Sequence, residues 1–399
     1  MGAETSPTSR VDAADAFGDT ERIAAIRESV RATCAAFPNE YWRELDAQRE
    51  YPEAFVRALT EAGWLGSLIP TEYGGLGLGI NEASVILEEV NRSGGNAGPA
   101  HAQMYVMGTL LKHGSGDQKR RYLPDIASGK TRLQAFAVTE PDAGTDTTRI
   151  TTTAAFRDGA YIISGRKIYI SRVQHSDLML LLARTAPRDE NRPTDGLSLF
   201  LVDLRLAGDS IRLRRLPMLM NNETNDVTIE NLEVPSENLV GTEHQGFRHI
   251  IDGWNAERIL IAAECVGDGR WFVDRAARYA TERIVFGRPI GANQGVQFPL
   301  AAAHAHIEAA DLMRRRAAIH FDANLPCGPD ANVAKYLASE ASWAAANACV
   351  DTLGGHGFNA EHDVERKFRE TRLYRVAPIS NNLVLSYVGH RVLGMPRSY

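Results

Sequence analysis

The hydrophobic pattern changes period twice along the chain. From Glu21 to Phe37 apolar residues recur at Ile23, Ile26, Val30 and Cys34, the spacing of a helix with one buried face. Pro52 then opens a second helix that carries Phe55, Val56 and Leu59 and stops near Gly63. Further helices are predicted over about Glu82 to Asn91 and Pro99 to His113, with a shorter one ending near Ser128. After Lys130 the pattern becomes short, β-branched and alternating: Leu133 to Thr139, Thr151 to Phe156, Ala160 to Ile170, Leu178 to Ala183, Leu197 to Val202 and Val227 to Leu232, divided by turn signals such as Asp158-Gly159. From Gly246 the helical period returns with Ile250, Ile251, Trp254, Ile261 and Ala262, followed by two long helices, about Gln297 to Phe321 and Asn332 to Leu353. The pattern predicts a loose tail over 1–19, an α-helical domain over 20–131, a β domain over 132–241 and a second α-helical domain over 242–399.

Composition narrows the function classes. A chain of 399 residues can bury a large core and enclose a cleft. Its net charge of -6 gives no electrostatic footprint for nucleic acid, and Lys119-Arg120-Arg121 reads as a solvated helix face. No stretch approaches the length of a membrane span. Cys34, Cys265, Cys327 and Cys349 have no CxxC spacing, so reduced, buried thiols are expected. The first residues contain no apolar signal core and several acidic groups, which fits a cytoplasmic protein. His304 and His306, two apart on a helix, face different directions and make a poor metal pair, so no metal is assigned.

The most informative stretch is Ala137-Val138-Thr139-Glu140-Pro141-Asp142-Ala143-Gly144-Thr145-Asp146. The apolar run from Leu133 to Val138 reads as a strand covered on both faces, and Pro-Asp-Ala-Gly breaks it into a polar turn. Such a strand end presents amides and hydroxyls, with Thr139 and Thr145 as donors and Gly144 allowing close backbone approach, as a flat polar-edged heterocycle requires. An ordinary β-turn has the same composition. IPTEYGGLGLG, by contrast, has neither the Gly-Lys-Ser/Thr of a phosphate loop nor a surrounding βαβ unit, and reads as a connection between helices.

AVTEPDAGTD resembles the signature of the acyl-CoA dehydrogenase family, with Arg149 where that signature has a small residue. Family-like segments continue in order from about Arg22 to about Arg391. The resemblance implies an α+β fold: an N-terminal α-helical domain, a central β-barrel or sandwich and a C-terminal helical bundle. It implies FAD, contacted by Phe136, Val138, Thr139, Gly144 and Thr145. Gly165-Arg166-Lys167-Ile168-Tyr169-Ile170-Ser171 resembles the family's Lys-x-Trp-Ile-Thr/Ser strand, which puts Tyr169 and Ser171 beside the flavin. On composition alone, Tyr169 would more often be a sheet-packing aromatic. Arg283, Phe286 and Gln294, in a segment similar to the family's Arg-x-x-Phe-Gly…Gln, are implied to hold the FAD of a neighbouring subunit, as are Gly354 and Gly355. Arg283 would otherwise be a surface ion pair and the glycines a helix terminator. Asp351 stands where many relatives have Gln. Ser380 and Asn382 complete the implied cofactor set, and a homotetramer, or at least a dimer, follows.

One departure concerns the chemistry itself. The position of the family's usual catalytic glutamate falls on Pro378, which removes a carboxylate and a backbone N–H. Glu257, next to Arg258, stands where relatives resembling isovaleryl-CoA and long-chain acyl-CoA dehydrogenases place their base. Helical spacing from Trp254 and Ile261 puts Glu257 on an apolar stripe, so a desolvated base is expected there, with a structural ion pair to Arg258 as the alternative. Substrate contacts are expected from Thr145, Arg258, His101, Met104 and Tyr105; the last three are bulky and imply a short or branched acyl group. The resulting expectation is α,β-dehydrogenation of an acyl-CoA, with an electron-transfer flavoprotein as acceptor. A flavin monooxygenase or oxidase on the same fold, or a non-catalytic flavoprotein, is the alternative.

Overall fold

The computed structural model describes residues 20–397; the predicted tail over 1–19 lies outside the described residues. The helical period of the first segment becomes α1 (Glu21–Ala35), whose buried face is Ile23, Ile26, Val30 and Cys34 and whose first turn is capped by the Thr20 side chain. After it come α2 (Asn39–Gln48), α3 (Glu53–Glu61), α4 (Ile80–Arg92), α5 (Gly98–His113) and α6 (Gly116–Ala127). The α2 helix was not predicted: NEYWRELDAQ buries only Trp42 fully, and Pro38 precedes it without a side-chain cap. IPTEYGGLGLG is indeed a connection, running into α4.

The alternating segments form β1 (Leu133–Ala137), β2 (Thr153–Arg157), β3 (Ala160–Ser171), β4 (Leu178–Arg184), β5 (Leu197–Asp203), β6 (Ile211–Arg215), β7 (Thr224–Pro235) and β8 (Leu239–Val240). They make a single mixed sheet of eight strands in the order β6-β7-β3-β2-β4-β5-β8, with β1 paired in parallel to β4. The strands β6 and β8 are additions to the expected set. The β6 sequence IRLRR carries no apolar alternation strong enough to announce a strand, being an exposed edge.

The chain then enters α7 (Gly246–Glu282), a 37-residue helix roughly 55 Å long. A two-stranded arm, β9 (Ile284–Val285) and β10 (Arg288–Pro289), leads to α8 (Gln294–Asp322), α9 (Gly328–Leu353), the single turn α10 (Gly355–Phe358), α11 (Val364–Arg372) and α12 (Asn381–Tyr387). α7 packs against α4, α5, α8 and α9, so it carries the core that joins both helical regions. Gly267 permits the α4 approach, because a Cβ there would overlap the Glu88 carbonyl oxygen. A second apolar cluster, including Val106, Leu110, Leu133, Leu180, Leu199 and Ile250, locks α5 and α7 onto the sheet. The β1 end, α5 and α7 are thereby held as rigid neighbours. All four cysteines are buried and unbridged, as expected.

Candidate active site

The turn after β1 is fixed from beneath by one carboxylate. Glu140 accepts from the Thr151 and Thr152 amides (2.6 and 2.9 Å), from both threonine hydroxyls (2.8 and 2.6 Å) and from Lys167 Nζ at 2.9 Å. Burial opposes its charge, but the Lys167 cation and the threonine donors outweigh burial and hold its pKa at about 2. Lys167 Nζ also donates to the Val138 carbonyl (3.0 Å), and the Ile168 amide donates to Thr139 (2.9 Å). The strand end and β3 are thus tied together, while Gly144 and Thr145 stay exposed on the turn; a Cβ on Gly144 would meet only Thr139 Cγ2, at 3.9 Å. Neither Glu140 nor Lys167 was expected to matter, although both stand inside the two motifs.

Tyr169 interrupts β3. Its φ is +62°, the pairing of β3 with β7 slips between Lys167 and Ile170, and its side chain is 58% exposed. A sheet-packing aromatic would be buried, so that reading fails. An aromatic residue at positive φ is strained unless the surroundings fix it, as at ligand sites. Two residues on, Ser171 Oγ lies 3.0 Å from Thr224 Oγ1 and accepts from Asn222 Nδ2 at 3.0 Å, so its hydroxyl is aimed by its neighbours.

Across from this turn, Phe136 approaches Tyr105 of α5 with ring centroids 6.0 Å apart, and Tyr105 lies 5.1 Å from the His101 ring. Met104, fully buried, belongs to the helical core. His101 Nδ1 is 2.8 Å from Glu264 Oε1 on α7, and Glu264 Oε2 accepts from the Tyr374 hydroxyl at 2.9 Å. Asn91 Nδ2 donates both to Tyr374 and to the Glu264 carbonyl. Glu264 and Tyr374 were not expected as site residues. Seven-residue spacing from Glu257 put Glu264 on the same face of α7, a signal the sequence did contain.

Glu257 itself is buried, only 7% exposed. Its pKa is pushed up to about 7, first by burial and further by the Glu264 charge, against the opposing pull of His101 and Arg258. No ion pair within 4 Å joins Glu257 to Arg258 among the described residues; Arg258 instead donates to Asn255 Oδ1 (3.2 Å) and lies over the Trp254 ring at 5.9 Å. The carboxylate therefore lacks the direct salt bridge that would make it purely structural. Burial also pushes the Tyr105 hydroxyl up, and the Glu257 charge adds to that rise.

The remaining expected residues do not join this cluster within one chain. Arg283 and Phe286 sit on the arm between α7 and α8, Gln294 is the first residue of α8, and all three are exposed, Phe286 completely and at a φ of +51°. Gly354 (φ +57°) and Gly355 face open space. Ser380 caps α12 by accepting from the Leu383 amide, and Asn382 is exposed. It is Asn381 that is buried, bonded to Lys335, Ser339 and Glu340. His304 lines a separate cleft of about 430 Å³ with Arg27, Arg31 and Arg270, whose guanidiniums are tied to Glu88, Glu89 and Glu308.

The chain matches the acyl-CoA dehydrogenase N-terminal domain over residues 20–130, the middle domain over 135–232 and the C-terminal domain over 244–393. It is 37% identical over 389 residues to the acyl-CoA dehydrogenase fadE12 of Mycobacterium bovis, covering 96% of this chain and 99% of that protein. An acyl-CoA dehydrogenase of Bacillus subtilis is 33% identical over 348 residues, covering 86% and 91%. Among solved structures, the glutaryl-coenzyme A dehydrogenase complex with glutaryl-CoA superposes with a TM-score of 0.88 at 29% identity, covering 95% and 97%. This chain belongs to the acyl-CoA dehydrogenase family.

Proposed function

We infer that the protein oxidises the α,β carbon–carbon bond of an acyl-CoA, with FAD as cofactor and Glu257 as the base. The observation that carries this reading is a desolvated carboxylate, lifted to about 7, whose charge acts on Tyr105, the ring that meets Phe136 of β1. The residues of that turn suit a flavin: bare backbone at Gly144, exposed hydroxyl-bearing Thr145, and the outward ring of Tyr169 beside the oriented Ser171 hydroxyl. Phe136 and Val138, half-buried at the strand end, offer apolar contact.

When bound, FAD supplies the hydride acceptor for the β-hydrogen. Glu257 takes the α-proton at its carboxylate, and its raised pKa makes it a stronger base than an exposed carboxylate. Arg258 adds positive charge beside the developing anion. Tyr105, His101 and the surrounding apolar walls exclude water and position the acyl group. Pro378 supplies neither the usual carboxylate nor an amide, so no other family base position holds a carboxylate.

Exposed Phe286, Arg283, Gly354 and Gly355 support a homo-oligomer, dimeric or tetrameric, in which one subunit's arm completes the cofactor site of the next. The reoxidant we assign is an electron-transfer flavoprotein. The test is anaerobic bleaching of the flavin by a panel of acyl-CoA thioesters, with wild type and Glu257→Gln. The variant should keep FAD and bind acyl-CoA, yet reduce its flavin at least about a hundredfold more slowly. Reduction at the wild-type rate removes Glu257 from the mechanism.

A further inference from the structure

The seam between α5 and α7 ends in two histidines that the dehydrogenation chemistry does not use. The helices run antiparallel along it: His101 meets Glu264, a Cβ on Gly253 would lie 3.1 Å from Thr109 Oγ1, and His113 reaches Asp252. At this last level the rings of His113 and His249 pack together, with centroids 4.4 Å apart and planes inclined by 34°. His113 closes the last turn of α5, and His249 is the fourth residue of α7.

The pair is poorly provided for as a charged species. His249 is 6% exposed, and its Nδ1 is buried with no hydrogen-bond partner among the described residues. Its ring is confined further by the chain leaving β8, where a Cβ on Gly241 would lie 2.4 Å from Cε1. His113 Nε2 lies 3.1 Å from Asp252 Oδ2 but out of hydrogen-bond alignment, and Lys112 Nζ shares that carboxylate at 3.3 Å. The charged groups facing the pair are Lys112 on α5, Lys119 on α6, and Arg248 and Asp252 on α7, while β8 presents the Val240 backbone. One carboxylate thus stands against three cations. Burial, chiefly, holds both imidazoles below the ordinary histidine value; His113 lowers His249 further, and Asp252 opposes both shifts without overcoming them. A cation at His249 would also stand at the positive end of the α7 dipole.

We propose that His113 and His249 form an acid-sensitive latch, which closes the end of the α5–α7 seam while both rings are neutral and frees the first turns of α7 when they take up protons. Two imidazolium rings at this separation repel, and neither has a carboxylate to itself. Opening returns the rings to water, where histidine titrates near 6.5. Since the closed pair lies below that value, the latch is fully closed above about pH 6.5 and weakens as pH falls. Each proton taken up on opening favours the open form by up to about tenfold per pH unit. Glu257 follows Gly253 by one turn on the same stripe of α7, so the latch secures the seam on which the desolvation of Glu257 depends. It does not depend on which residue is the base.

The experiment is hydrogen–deuterium exchange of the FAD-loaded protein at pH 7.5 and 5.5, with rates corrected for the intrinsic pH dependence of exchange. Amides of residues 246–256 should open at least about tenfold more at pH 5.5, while residues 259–268 stay protected. His249→Phe keeps a ring against His113 without titrating, and His113→Gln removes the other proton site; each should cut the rise to about threefold or less. Glu257→Gln should keep the rise in full. Equal opening at both pH values in the wild type overturns the latch without any variant having to fold. A rise that survives in either histidine variant, or that disappears in Glu257→Gln, overturns it as well, because the proton then acts elsewhere.

Discussion

Replacing Glu257 by glutamine should make the protein more stable at alkaline pH while disabling it. A glutamate in the unfolded chain titrates near 4.5, whereas burial lifts Glu257 to about 7 in the folded protein. Between those values the native state holds a proton that the unfolded state has lost, so wild-type stability falls as pH rises through this window and levels off above it. The full interval corresponds to about 3 kcal/mol. Glutamine carries no charge at any pH and escapes that loss. Below about pH 4.5 the two proteins differ only by the constant difference between a neutral acid and an amide. The assay is denaturant unfolding of the FAD-loaded wild type and Glu257→Gln at pH 5 and pH 8.5. The variant's relative stability should increase by on the order of 3 kcal/mol between the two, most of it above pH 5. A difference that does not change with pH would mean that Glu257 is ionised in an ordinary way, and the argument for a strengthened base would collapse with it.

Two further predictions follow from the neighbouring ion pair and the exposed arm. Glu140→Gln leaves the buried Lys167 ammonium without its counter-ion and should cost roughly 3–5 kcal/mol in urea unfolding; because the native Glu140 pKa is depressed to about 2, its contribution in the wild type is present above about pH 4.5 and lost as pH falls towards 2, and a near-neutral substitution would contradict the role given to this carboxylate. Phe286→Asp, which places a charge on a fully exposed ring position, should lower both oligomeric mass in light scattering and bound FAD per chain; an assembled, fully yellow variant would separate the arm from the cofactor site.

Much of the architecture was legible because each segment's period matches what it buries. The α1 face at Ile23, Ile26, Val30 and Cys34 is visible as spacing, and the continuous apolar run of β4 reflects a strand buried nearly throughout. Elements that bury little were not legible. The α2 helix has one fully buried residue, and β6 presents alternating arginines that pair with Glu230 and Asp226 across β7, contacts no local pattern reveals. At the site, burial of Glu257 could be read from helical spacing. The His101–Glu264–Tyr374 arrangement could not, since it joins three distant segments. Tyr169 had two sequence readings, of which composition favoured the sheet-packing one, and its backbone at positive φ and its exposure speak against that reading.

On the proposed assignment of Glu257 as base, Glu140 and Glu257 together explain how the base could leave its usual place without a change of fold. Both carboxylates are buried, yet one is held at about 2 and the other at about 7. The difference lies in their donors: Glu140 has Lys167, two hydroxyls and two amides, while Glu257 has only the more distant pull of His101 and Arg258. Desolvation therefore decides the character of Glu257, and desolvation is a property of the rigid α5–α7 packing rather than of any particular loop. A base on α7 asks no carboxylate of residue 378. The segment just after Pro378 is secured independently: Lys335 Nζ donates to the Ile379 carbonyl at 2.7 Å and to Asn381 Oδ1 at 2.7 Å. That segment is thus anchored without a carboxylate or an amide N–H at residue 378, and the proposed role of the α7 carboxylate requires only that it stay without close donors.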